Sequence, residues 1–157
     1  FVCGEDVELS LRLQTVGAIS RFIPEAYVYH KRRATLKQFR RQVFRFGAAR
    51  PLLAKAHPGN LKVTHLFPLV FTLYRHLTAI LAVLGIVYFH ESLYVLPFAL
   101  YVLYMIAVFI SALSKEGLAV AILAVQTTHT MNQGYGIGFL RNFISVYVKG
   151  NSKGIQL

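Results

Sequence analysis

A mostly α-helical chain is predicted: a partial α/β portion at the start, an amphipathic helix in the middle, and about three transmembrane helices behind it. Three observations predict this. Apolar residues accumulate after residue 65 and lift the hydrophobic share to 55 % and the mean hydropathy to +0.51, above the usual values for a soluble domain. Ten of the 17 Lys and Arg fall between residues 31 and 62, with no Asp or Glu among them. Apolar residues also recur at helical spacing over 7–16 and 36–46, ahead of the apolar stretches.

In the first segment, Leu9, Leu13 and Val16 recur at i, i+4 and i+7, while Glu8 and Arg12 are spaced for an ion pair on another face. Gly17 supplies a C-terminal stop. Glu5 and Asp6 fall in the first turn, where the helix dipole favours acidic groups whatever else they do. Two β-rich runs follow, 19–23 and 26–30, separated by the turn-forming Pro24-Glu25. In the second run Ala26, Val28 and His30 share one face and Tyr27 and Tyr29 the other, so His30 ends that strand at its C-terminal edge. Ligands collect at that edge in open α/β sheets.

Thr35 and Gln38 form a capping-box pattern, after which Leu36, Phe39, Val43 and Phe46 make an apolar stripe on a cationic helix. Such a helix is expected to lie in the bilayer interface, apolar side in and Arg40 and Arg41 toward phosphates. Pro51 and the cluster His57-Pro58-Gly59-Asn60 are expected to form a hinge. Three apolar stretches follow, about 66–89, 93–113 and 117–135, joined by turns at His90-Glu91-Ser92 and Ser114-Lys115-Glu116 that force antiparallel neighbours. The third carries Gln126, Thr127, Thr128, His129, Thr130, Asn132 and Gln133, which should face other helices or water. Gly134, Gly136 and Gly138 are expected to break it, with 137–148 forming a second surface helix. Three crossings would strand Arg141, Lys149 and Lys153 on the far side, against the positive-inside tendency; a re-entrant third segment removes the conflict. Three parts result: 1–34, 35–62 and 63–157.

Cys3 is the single cysteine, which excludes an internal disulfide and a cysteine-rich zinc site. No phosphate-binding or dinucleotide glycine motif follows a strand. The +11 net charge by itself would suit nucleic acid, but the apolar spans and the lack of a nucleic-acid-binding fold exclude that partner. The cationic block then points to anionic membrane lipid or to phosphorylated substrates. The chain begins at Phe1, already inside a patterned segment, which reads as the later part of a longer protein.

Gly4-Glu5-Asp6 at a helix start, Gln42-x-x-Arg45-Phe46 some forty residues on, and apolar spans directly behind together resemble the C-terminal half of a membrane-bound family 2 glycosyltransferase of the cellulose- and hyaluronan-synthase type. That resemblance implies that residues 1–34 are the end of a GT-A catalytic domain, that 35–62 are an interface helix and hinge, and that 63–157 are transmembrane helices with a surface segment. It implies a hexosyltransferase taking a nucleotide-sugar donor and a lipid-linked or polysaccharide acceptor, multi-pass in the cell (inner) membrane, with its catalytic part cytoplasmic. By carry-over, Asp6 is the base, with Glu5 beside it; Gln42, Arg45 and the neighbouring Arg41 meet the diphosphate, and Phe46 stacks on the acceptor sugar. The family has Trp where Phe46 stands, and the smaller ring favours single-sugar transfer over gripping a growing polymer. A divalent metal, Mg or Mn, is implied, with its main motif upstream and His30 a candidate contact; the stretch alone is then expected to be inactive. Two rivals stay open: a non-enzymatic membrane protein whose basic helix binds anionic lipid or a partner, and a piece of a transporter using the polar third span.

Overall fold

The computed structural model describes residues 4–30 and 34–151, so Cys3, Lys31, Arg32, Arg33 and Lys153 lie outside the described residues. Five α-helices organise it: α1 (Glu5–Thr15), α2 (Leu36–Ala56), α3 (Phe67–Leu84), α4 (Leu96–Glu116) and α5 (Leu118–Phe143). π-helical turns extend α3 over Gly85–Phe89 and α5 over Ile144–Val148.

The local chemistry of α1 and α2 is as expected. Arg12 Nε lies 2.9 Å from Glu8 Oε1 on α1, and Gly17, at φ +80°, follows the helix end. Thr35 caps α2, its hydroxyl accepting from the Gln38 N–H at 3.2 Å, while Gln38 Oε1 accepts from the N–H of Ala34. Between them, residues 18–30 hold no strand. The Pro24-Glu25 turn forms, with Ala26 N–H donating to the Ile23 carbonyl at 3.1 Å, but the flanking runs have no ladder partner among the described residues. Strand formation needs that partner, since a lone extended segment satisfies none of its backbone groups. Ile19, Phe22, Val28 and Tyr29 are accordingly almost fully exposed.

Helix α2 corrects one expectation. It runs through Pro51 without a hinge there, and the chain turns only at His57-Pro58-Gly59. A mid-helix proline removes a ladder bond and costs about 3 kcal/mol. Here its ring is fully buried, and Asn142 Nδ2 of α5 donates to the Ala48 carbonyl one turn before it. Of the apolar stripe, Val43 is buried against α5 while Leu36 and Phe46 stay exposed; Gly47, Ala48 and Pro51 beside it are buried.

Helix α5 explains why. Its glycines do not break it; they are where its neighbours touch. A Cβ at Gly138 would collide with the Phe44 carbonyl oxygen, one at Gly47 with the Tyr135 carbonyl oxygen, and one at Gly134 would lie 2.7 Å from Val43 Cγ2. Gly134 by Arg40, Gly138 by Phe44 and Asn142 by Ala48 advance four residues together, so α2 and α5 run parallel with backbones in contact. Gly136 faces the other way, 2.7 Å being left for a Cβ against the Pro68 carbonyl and Thr72 Oγ1 of α3.

Among the described residues, two segments are long and apolar enough to cross a membrane, Phe67–Phe89 and Ser92–Glu116. The expected third, α5, does not qualify. Its polar residues turn largely to other helices, as their cost in lipid requires. Thr72 Oγ1 donates to the Asn132 carbonyl at 2.9 Å, and Tyr101 Oη lies 2.9 Å from His129 Nδ1. Between the spans the chain reverses at His90, in the left-handed region at φ +53°; α4 and α5 are separated by Gly117 alone, at φ +85°.

Candidate functional site

On α2, Gln42, Arg45, Phe46, Ala49 and Leu53 follow at i, i+3, i+4, i+7 and i+11, which places them on one side of the helix. The start of α1 is seated on the same side. A Cβ at Gly4 would lie 3.4 Å from Ala49 Cβ and 3.5 Å from Leu53 Cδ1, so the glycine, at φ +88°, allows the close approach. Glu8 adds a second tie: its Oε1 lies 3.5 Å from His57 Nε2 at the end of α2, an ion-pair distance with no hydrogen bond formed. Gly4-Glu5-Asp6 therefore begins about one helical turn from the Arg45-Phe46 level of that stripe.

The side chains differ in what holds them. Glu5 and Asp6 are exposed, and among the described residues neither carboxylate has a hydrogen-bond or ion-pair partner. Gln42 and Arg45 are half-buried, and Phe46 is 46 % exposed. Arg45 Nε is buried with no hydrogen-bond partner, an unsatisfied charged donor of the kind native structures keep only for a reason.

The remaining sequence candidates have other surroundings. Arg41, four residues before Arg45 on α2, lines a groove between α2 and α5 with Lys37 and Arg40. His30 is exposed in the irregular segment and ends no strand. Among the described residues no three His, Cys, Asp or Glu side chains gather to hold a metal ion. The resemblance places the main motif for the implied divalent metal upstream of these residues, with His30 no more than a contact to it.

One cluster escaped the sequence reading. Beside α1, Arg50, Lys62, Asn60 and His65 line a cavity of about 180 Å³ with Val7, Leu11 and Leu53. His65 Nδ1 accepts from the Lys62 N–H at 3.1 Å, and burial, then Arg50 and Lys62, push its pKa down. Arg50 also lies close to the Tyr135 hydroxyl of α5. Nothing in the spacing of these residues announces a cluster; it forms because α1 folds back over the end of α2.

Residues 1–127 match the family model described as Glycosyl transferase family group 2. The chain belongs to that family. The match takes in α1, α2 and both apolar segments. It stops within α5, before the glycine seam. No curated protein and no solved structure matches the chain. Family membership makes glycosyl transfer the chemistry to be explained, with a nucleotide-sugar donor and an acceptor in general terms.

Proposed function

We propose that this chain is the acceptor-side end of a membrane-anchored, GT-A-type glycosyltransferase that moves a hexose from a nucleotide sugar to a lipid-linked or glycan acceptor. Asp6 takes the proton from the acceptor hydroxyl as its oxygen attacks the anomeric carbon; the bond from that carbon to the nucleoside diphosphate breaks, and the diphosphate leaves with the electron pair. Arg45 and Gln42 offset the charge that develops on the leaving group, and Phe46 offers a ring face to a sugar. The observation that carries this reading is the Arg45 guanidinium: its buried Nε lacks a partner, and it lies on the one side of α2 where Gly4 seats the acidic pair. A diphosphate oxygen is the partner such a donor lacks. No step is routed through a metal or through His30.

Membrane anchorage is supported by where the apolar surface lies. A core helix of a soluble protein would be mostly buried, whereas only 22 % of the first apolar span and 6 % of the second are buried inside the protein. Leu100, Leu103, Ile106 and Ile110 of α4 are all exposed, an apolar expanse too continuous for water.

The test is turnover of the full-length enzyme with Asp6→Asn and, separately, Arg45→Lys. Asp6→Asn lowers kcat by at least about a hundredfold with the melting temperature unchanged, the usual loss for a general base. Arg45→Lys keeps the charge but loses the guanidinium fork and raises the donor KM. Near-wild-type turnover in Asp6→Asn removes the base assignment.

A further inference from the structure

The groove between α2 and α5 is not used by the chemistry above. It has a volume of about 740 Å³ and is lined by Lys37, Arg40 and Arg41 over Phe44 and Ile137, with Gln133 and Thr35 at its edges. Those cations have no acidic neighbour on either helix: no Asp or Glu occurs from residue 26 to 90 or from 117 to 157. None of the three forms an ion pair among the described residues. The first turn of α2, with its positive dipole end, lies at the same end of the groove.

The groove also has a depth. Gly136 of α5 touches Pro68 and Thr72 in the opening turns of the first apolar span, and Gln133, Gly134 and Ile137 lie within one helical turn of Gly136. The cations are therefore level with the start of that span, where lipid headgroups would lie. Phe44 and Ile137, the latter 44 % exposed, supply an apolar floor.

We propose that this groove binds one anionic phospholipid of the surrounding bilayer, its phosphate held by Lys37, Arg40 and Arg41 and the upper part of an acyl chain laid over Phe44 and Ile137. The proposal rests on the membrane-anchored reading. Bound there, the lipid bridges the helix that carries Gln42 and Arg45 to the helix packed on both apolar spans. It is a fixed ligand with a volume to fill, unlike the diffuse attraction any basic segment has for a charged surface.

The experiment is native mass spectrometry of the purified full-length protein in detergent, with phosphatidylglycerol or phosphatidylcholine added at equal concentration, alongside reconstitution into vesicles of each composition. One retained phosphatidylglycerol per protein is expected, and little phosphatidylcholine. Lys37→Gln/Arg40→Gln lowers that retention by roughly tenfold or more, in line with the pull of two cations near a lipid surface. The charge-preserving Lys37→Arg/Arg40→Lys retains it, and Lys55→Gln, outside the groove, leaves it unchanged. Equal retention of both lipids, no loss in the double Gln variant, or displacement of the lipid by soluble glycerol phosphate at matched concentration each overturns the groove assignment while anchorage stands. Failure to reconstitute into any vesicle overturns anchorage and the groove together.

Discussion

A single imidazole shows how tightly this end of the molecule is charged. His65 sits against Arg50 and Lys62, and burial with those two cations holds its pKa below the ordinary value near 6.5. The unfolded chain then binds the proton more readily than the folded one. His65 contributes stability that is full above about pH 6.5 and is lost as pH falls through its lowered folded value. In thermal melts across pH 7.5 to 5, His65→Gln is expected to flatten part of the acid-side fall in melting temperature; an unchanged profile would show that another group governs it. Legibility at this scale followed distance along the chain. Glu8 with Arg12, and Thr35 with Gln38, could be read because both partners lie within one helical turn. Arg50 with Tyr135 and Glu8 with His57 could not, because the fold makes those neighbours.

Among the elements, glycine and proline were the residues most open to misreading, because their meaning depends on what packs against them. Three glycines in five residues read as a helix break, yet Gly134 and Gly138 are the small-xxx-small spacing by which two helices approach backbone to backbone. Pro51 read as a hinge, yet it is buried in an unbroken helix. The two β-rich runs read as strands, yet residues 18–30 hold only the turn between them, and the neighbouring strand that would make them a sheet is not among the described residues. The seam gives a direct test. Gly138→Ala inserts a methyl group against the Phe44 carbonyl and should destabilise the protein by about 1–3 kcal/mol, as overpacking does. Chemical denaturation of the detergent-solubilised protein measures it; a loss below a few tenths of a kcal/mol would show that α2 shifts freely away from α5.

For the whole molecule, the apolar surface decides the solvent. Helix α4 buries only Met105 fully inside the protein, and most of its large apolar side chains are exposed. The protein is expected to stay with membranes through alkaline carbonate extraction and to leave them in detergent; release by carbonate alone would count against spans at 67–89 and 92–116. Hydropathy made these two spans legible, since each is continuous and apolar. It overcounted at α5, where polar side chains meet α3 and α4, so that a helix of sufficient length does not have the composition to cross.

The contact between α2 and α5 leaves no room for a side chain at Gly47, Gly134 or Gly138, and Gly136 is as confined against α3. A saturation mutagenesis survey scored on activity would therefore show four intolerant sites that meet neither sugar nor nucleotide. Their intolerance would rival that of the acidic pair on α1. Ranked by sensitivity alone, these positions would pass for catalytic ones; only a parallel measurement of how much folded protein accumulates would tell a crowded seam from a reacting centre.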